Sequence, residues 1–258
     1  MCGICGDVDL AAAPDAEGVR RAARALAHRG PDAEGFFIEG AAAFGHRRLS
    51  ILDLSTGDQP MTRDGVTLIF NGEAYDFAPL RDELRGLGHP FTTRSDTEVV
   101  LRAYLQWGEE FAGHVHGMFA LALWDSRARK LVLARDRLGK KPIYYFVQNG
   151  RCIFASELKA LAAHAGVPRA LDPEALVQYL ANEYVPAPLS IYKSIRKLPA
   201  ANLAVLDDRG FRLRRYWELP APEASAPPDA ARQLLELLDR AVAKRLVADV
   251  PVGVFLSG

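Results

Sequence analysis

The sequence of 258 residues has no net charge, since Lys and Arg total 32 and Asp and Glu total 32. A balanced chain has no electrostatic pull toward nucleic acid or an anionic membrane. Long apolar runs are missing as well. The longest, Met118 to Trp124, is far short of the ~20 residues a membrane helix needs, so a soluble protein is expected. Cysteine is scarce. Three thiols, Cys2, Cys5 and Cys152, exclude a disulfide-stapled scaffold, and their odd number fits reduced thiols. The start, Met1-Cys2-Gly3-Ile4-Cys5, lacks the basic and apolar regions of a signal peptide. Together these absences predict a cytoplasmic protein. Internal repeats are also missing. Disorder is excluded, because 49% of residues are hydrophobic and 25% charged, as in ordinary globular proteins.

What is present reads as strands, then helices, then strands. Strand-like runs cover Gly3–Leu10, Gly35–Ile38, Ala42–Ile51 and Val66–Phe70. Helical spacing appears over Ala16–His28, Pro79–Leu87 and Asp96–Trp107. Further strands are expected over Met118–Trp124, Lys130–Arg135, Ile143–Gln148 and Arg151–Ala155, the last two joined by an Asn149-Gly150 hairpin turn. Asp172-Pro173-Glu174 opens another helix, with Asp172 as N-cap. Hairpin-length connections argue for an α+β class with antiparallel sheets.

A composition shift follows. Residues 219–228 read LPAPEASAPP, a Pro/Ala-rich linker between a first domain at 2–218 and a second unit at 229–258. Asp229–Ala248 predicts an amphipathic helix with a stripe of Leu234, Leu235, Leu238, Val242 and Leu246. Val250–Leu256 predicts a buried strand. A helix and strand alone cannot bury their apolar faces, so they read as the start of a further domain. An exposed stripe of this kind predicts self-association.

Cys2 is the sharpest chemical feature. If Met1 is removed, Cys2 carries a free α-amine with an ordinary pKa of roughly 7.7–8.0. One residue then supplies nucleophile and base, as in enzymes that pair Thr with an N-terminal amine. Position alone favours chance, and context decides. His28-Arg29-Gly30-Pro31-Asp32, Arg48-Leu49-Ser50-Ile51, Asn71-Gly72-Glu73 and Ser95-Asp96 follow in order, then Gly117–Ala120, Ala134–Gly139, Phe154–Glu157 and Asp249–Gly258. With these motifs the whole chain resembles the class II glutamine amidotransferases, and more narrowly the N-terminal part of glutamine-hydrolysing asparagine synthetases.

The resemblance implies a four-layer α/β/β/α sandwich of two antiparallel sheets, the N-terminal-nucleophile hydrolase fold. The first helix and strand of an α/β ATP-pyrophosphatase-type domain would follow it. It implies that Cys2 attacks the glutamine amide, with Asn71 and the Gly72 N–H stabilising the oxyanion. Arg48 would clamp the substrate carboxylate. Leu49, Ser50, Ile51 and Leu52 would line the pocket, and Asp96 and Glu73 would receive the ammonium. Outside that context, Asn71-Gly72 reads as a β-turn, Arg48 as a surface residue and Asp96 as a helix N-cap. His28–Asp32 reads as support beside the site.

The resemblance further implies that Leu256, Ser257 and Gly258 open an ATP site. In the parent protein, ATP and Mg would activate aspartate, and ammonia would reach it through a tunnel. Glutamine hydrolysis itself would need no cofactor. The expected partners are glutamine, with aspartate and ATP in the parent. Neither nucleic acid nor membrane is expected, and a homodimer is compatible with the family.

Other readings stay open. Phosphoribosyl-pyrophosphate and fructose-6-phosphate amidotransferases share the front motifs, but Arg196–Pro199, Tyr216-Trp217 and the Asp249–Gly258 end favour the synthetase branch. Members associated with exopolysaccharide export use another acceptor. A non-catalytic glutamine-binding relic is the alternative outside enzymology. The remaining histidines, His46, His89, His114, His116 and His164, lack metal-ligand spacing and read as solvated or locally bonded. Cys5 reads as a buried unreactive thiol, with a reversible Cys2–Cys5 disulfide as the sharper alternative. The basic stretches Arg135–Lys141 and Arg212–Arg215 read as solvated faces.

Overall fold

The computed structural model describes residues 1–222 and 227–256. Its strands are β1 (Gly3–Asp9), β2 (Ala33–Glu39), β3 (Ala42–Arg48), β4 (Met61–Arg63), β5 (Val66–Ala74), β6 (Gly117–Asp125), β7 (Lys130–Arg135), β8 (Tyr144–Gln148), β9 (Arg151–Ala155), β10 (Arg196–Lys197), β11 (Asn202–Asp207) and β12 (Gly210–Arg215). Its helices are α1 (Ala16–Ala25), α2 (Phe77–Gly86), α3 (Asp96–Trp107), α4 (Phe111–His114), α5 (Leu158–Ala162), α6 (Pro173–Asn182) and α7 (Ala230–Ala243).

The strands form two six-stranded antiparallel sheets, ordered β10-β8-β9-β1-β3-β2 and β12-β11-β7-β6-β5-β4. Alternation along each strand sends one set of side chains between the sheets and the other toward helices. The inner layer holds Ile4, Val8 and Phe44 of the first sheet and Ile69, Ala120 and Ala122 of the second. On the outer face of the first sheet, Cys5, Ala43 and Ile153 pack on Val19 and Ala23 of α1 and Leu161 of α5. On the outer face of the second, Leu68, Phe70 and Leu121 pack on Leu84 of α2 and Val99 and Ala103 of α3. The four-layer α/β/β/α sandwich is therefore present.

Several boundaries differ from the sequence-based expectation. Strand β5 does not end at Phe70 but runs to Ala74, and Asn71 and Gly72 pair with Ala120 and Phe119 of β6. The β-turn reading of Asn71-Gly72 is therefore wrong. A Cβ at Gly72 would lie 2.2 Å from the Met118 carbonyl oxygen, so only glycine lets the two strands approach here. Strand β3 stops at Arg48 rather than Ile51, because Leu49–Leu52 leave the sheet.

Helix α7 ends at Ala243, short of the expected Ala248. Downstream, the Asp249 N–H bonds the Ile51 carbonyl, and Pro251 disfavours helical backbone at Val250. The stripe of α7 is exposed, as expected for a face without a partner. The expected strand at Val250–Leu256 is absent. The segment pairs with no other strand among the described residues, and Val254, Phe255 and Leu256 are exposed. Of the expected linker at 219–228, residues 223–226 lie outside the described residues.

Candidate active site

The antiparallel registers bring the site together. Gly3 at the start of β1 pairs with Arg47 at the end of β3, so Cys2 stands beside Arg48 and Leu49. The end of β5 from the second sheet and the start of α3 close the same pocket. It is lined by Cys2, Arg48, Leu49, Ile51, Leu52, Asn71, Gly72, Glu73 and Asp96. Ser50 does not line it. The Ser50 N–H instead donates to Asp32 Oδ2 at 2.8 Å, tying the loop to the His28–Asp32 segment.

Cys2 is half-buried. Its Sγ accepts the Leu49 N–H at 3.4 Å and faces the Leu49 carbonyl at 3.7 Å. Burial pushes the thiol up from its ordinary pKa, and the Leu49 contact only partly offsets this. Such a thiol needs a base to ionise it. Arg29 secures the backbone, donating from Nε to the Cys2 carbonyl at 2.9 Å and from Nη1 to Glu157 at 2.8 Å.

The edge of β5 supplies oxyanion donors. Phe119 directs its N–H and carbonyl to Asp136, away from β5. Its partner Gly72 therefore sends its N–H to the open edge, on the side of the Phe70 and Ala74 N–H groups. The Phe70 N–H is taken by Gln59 Oε1 at 2.6 Å and the Ala74 N–H by Asp96 Oδ2 at 2.9 Å. No acceptor engages the Gly72 N–H among the described residues. Beside it, the buried Asn71 side chain leaves Nδ2 without a partner. Two unspent donors at one wall of a pocket are what a developing oxyanion requires.

At the other end, Arg48 is buried, not a surface residue. Its Nη2 donates to the carbonyls of Leu52 (3.2 Å) and Asp53 (2.6 Å), and its Nη1 reaches Asp58 Oδ1 at 2.6 Å. Gly57 makes this packing feasible, since a Cβ there would lie 2.7 Å from Nη2. Glu73 and Asp96 place two carboxyls against the pocket. Burial raises both, and Asp96 reaches about 6, with Glu73 adding to the upward push. Two such groups side by side favour a cationic ligand. Ser95, not Asp96, caps α3, its side chain accepting the Thr97 N–H. Asp96 is thus free for the pocket and for the Ala74 N–H.

The C-terminal segment reaches the same loop. The Asp249 N–H donates to the Ile51 carbonyl at 2.9 Å, and Asp249 Oδ2 accepts the Asp53 N–H at 2.7 Å. Asp53 in turn accepts the Arg94 N–H at 2.8 Å, two residues before Asp96.

Sequence reasoning missed Gln59, Ser95, Thr97 and Lys141, which also line the pocket. Lys141 belongs to a stretch expected to be solvated, yet it is only 6% exposed. Arg135 in the same stretch spends its guanidinium on the carbonyls of Lys141, Leu198 and Gly139. His46 and His164 are also buried rather than solvated, and His46 leaves Nδ1 without a partner. Cys5 is buried with its thiol pushed up to about 12 and its Sγ set against the Val19 and Gly45 carbonyls. That placement fits a buried, unreactive thiol. Of the expected ATP-site residues, Leu256 is exposed coil, and Ser257 and Gly258 lie outside the described residues.

Comparison with known proteins accords with this arrangement. The profile of the glutamine amidotransferase domain matches residues 1–217, and that of asparagine synthase matches residues 233–258. Over its full length the chain is 37% identical to asparagine synthetase [glutamine-hydrolyzing] 3 of Bacillus subtilis, and it covers 43% of that protein. It is 37% identical to a putative asparagine synthetase [glutamine-hydrolyzing] of Mycobacterium tuberculosis, covering 44% of it. The chain thus spans less than half the length of these curated relatives. Among solved structures, the glutamine phosphoribosylpyrophosphate amidotransferase of B. subtilis superposes with a TM-score of 0.62 at 18% identity, over 84% of this chain and 50% of that one. That likeness establishes the shared fold. With its domain profile matched over most of its length and its sandwich shared with an amidotransferase, the chain belongs to the glutamine amidotransferase domain family.

Proposed function

We propose that the chain is the glutaminase part of a glutamine-dependent asparagine synthetase and releases ammonia from glutamine through Cys2. The observation that carries this reading is the convergence on one pocket of the Cys2 thiol, the unpartnered Asn71 Nδ2 and Gly72 N–H, the Arg48 guanidinium and the Glu73–Asp96 carboxyls. These groups match the parts of one molecule. Glutamine has a carboxylate for Arg48, an ammonium for Asp96 and Glu73, and a side-chain amide for Cys2.

The proposed chemistry starts once Met1 is gone. The Cys2 α-amine takes the thiol proton as Sγ bonds to the glutamine amide carbon. The carbonyl π electrons move to oxygen, where Asn71 Nδ2 and the Gly72 N–H stabilise the negative charge. The oxyanion then collapses, the C–N bond breaks, and the amine returns its proton to the departing nitrogen, which leaves as ammonia. Water, deprotonated by the same amine, opens the thioester to glutamate and the thiol. No nucleotide is consumed in these steps.

The parent reaction, in which ATP, aspartate and glutamine give asparagine, glutamate, AMP and pyrophosphate, is proposed for the longer protein with Mg2+. The relatives named above and the match at residues 233–258 support it. The same reading places residues 2–218 in the glutaminase domain, residues 229–258 in the start of the synthetase domain, and the protein in the cytoplasm.

The test is glutamate release from glutamine by the purified chain, with Cys2→Ala as control and Met1 removal checked by mass. Release that disappears in the control supports the reading. A folded, processed chain that binds glutamine without turning it over would make it a binding relic.

A further inference from the structure

Lys141 is the one charged side chain lining the pocket that the chemistry above leaves unused. It is held in place from both sides of its backbone: its N–H donates to Asp136 Oδ2 at 3.0 Å, and its carbonyl accepts Arg135 Nε at 2.8 Å. It is more than nine-tenths buried and lines the same pocket as Cys2 and Glu73. Buried lysines are rare unless paired. Yet no carboxylate lies within 4.0 Å of Nζ among the described residues, and its one polar contact is the Met1 sulfur at 3.1 Å. Met1 is the residue the proposed chemistry requires to be lost. Its removal strips Nζ of that contact and frees the α-amine of Cys2, which lines the same pocket.

Resting on the glutaminase reading, we propose that Lys141 is a positioning residue whose ammonium faces the new Cys2 α-amine and keeps that amine unprotonated, and so available to accept the thiol proton, at neutral pH. Like charges disfavour each other's protonated forms, and a half-buried site screens them poorly. The direction agrees with the terminus that the site holds before processing. Burial lowers the Met1 amine, with Arg29 and Lys141 adding to the effect, while the Cys2 thiol and Asp32 oppose it. The charged groups facing this point are Arg29 from the loop after α1, Asp32 from the same loop, Glu73 at the end of β5, Arg48 at the end of β3, Asp96 at the start of α3, and Lys141. Glu73 pulls against Lys141.

A second effect follows from the same charge. The cation also favours the thiolate of Cys2 as the proton leaves it.

The experiment compares wild type with Lys141→Met and Lys141→Arg, after mass confirmation that Met1 has been removed and a thermal melt confirming the fold. The acidic limb of kcat/KM for glutaminase should move up by about one pH unit in Lys141→Met, a roughly ten-fold loss below the limb that recovers at alkaline pH. Lys141→Arg keeps the charge and should retain the wild-type limb. An unmoved limb with a uniform loss at all pH values would overturn the proposal. A second readout does not depend on turnover: NMR titration of the α-amine in chain labelled with 15N-cysteine. The amine pKa should rise by about one unit in Lys141→Met, and an unchanged value would overturn the proposal. A wild-type chain without glutaminase activity but with this titration shift would defeat the glutaminase reading alone.

Discussion

Asp58 and Arg48 form an unequal pair. The Asp58 side chain is 76% exposed and that of Arg48 only 6%, yet Asp58 Oδ1 sits 2.6 Å from Arg48 Nη1. Arg48 is held independently by the Leu52 and Asp53 carbonyls. Asp58 therefore occupies a donor that the proposed substrate carboxylate would need, rather than building the clamp. Replacing it with Asn should lower KM for glutamine by several-fold and leave kcat unchanged. Steady-state kinetics check this. A raised KM would mean that Asp58 orients Arg48 instead.

Asn71→Ala should lower kcat about 10²–10³-fold with little change in KM, since the lost donor acts on the oxyanion and not on bound glutamine. Nδ2 has no partner among the described residues, so no hydrogen bond within them is lost there. The melting temperature should stay close to wild type. A matched fall in stability and activity would assign Asn71 a structural role.

Asp96 sets function against stability. Its carboxyl is raised from 3.8 to about 6 in the folded chain, chiefly by burial, so the folded state binds the proton more readily than the unfolded one. Stability from this group therefore grows as pH falls from about 6 toward 4, and the ionised form at pH 7 costs on the order of 1–3 kcal/mol. Asp96→Asn should melt higher at pH 7, with the gain shrinking as pH falls from about 6 toward 4. It should also bind glutamine far more weakly, having lost the charge opposite the ammonium. In wild type, glutamine affinity should weaken as pH drops through about 6. Calorimetric melts and binding isotherms across pH 4–8 decide both points.

Asp7 carries the opposite sign. Burial would raise its carboxyl, but Arg151, His164 and the Asp15 N–H outweigh that and hold it at about 2. Its stabilisation is complete above pH 4 and is lost as pH falls through about 2. Asp7→Asn should cost about 2–4 kcal/mol at neutral pH, and its melting curve should approach wild type near pH 2. A constant difference down to pH 2 would place the loss in packing rather than charge.

The long amphipathic and alternating segments were legible from sequence, as α3, β7 and β9 show at their full expected bounds. The motifs named the pocket residues because they come from ends of strands, where chain order and spatial order differ. What escaped depended on distant neighbours. Asn71-Gly72 has turn chemistry, and only pairing with Ala120 and Phe119 makes it a strand. Strand β12 went unassigned because its run of arginines masked the alternation of Phe211 and Leu213. Lys141 looks like solvated charge until the N-terminus, about half the chain away, closes over it. Val250–Leu256 has strand composition, but a strand is defined by its neighbours, and here it pairs with none.

The bonds from Asp249 to Ile51 and Asp53 tie the far end of the chain to the loop that grips Arg48. Such a tie works in both directions. If the segment around Asp249 favours the loop geometry that binds glutamine, then glutamine favours that placement of the segment by the same factor. Occupancy of the pocket and the placement of backbone some 200 residues along would then rise and fall together.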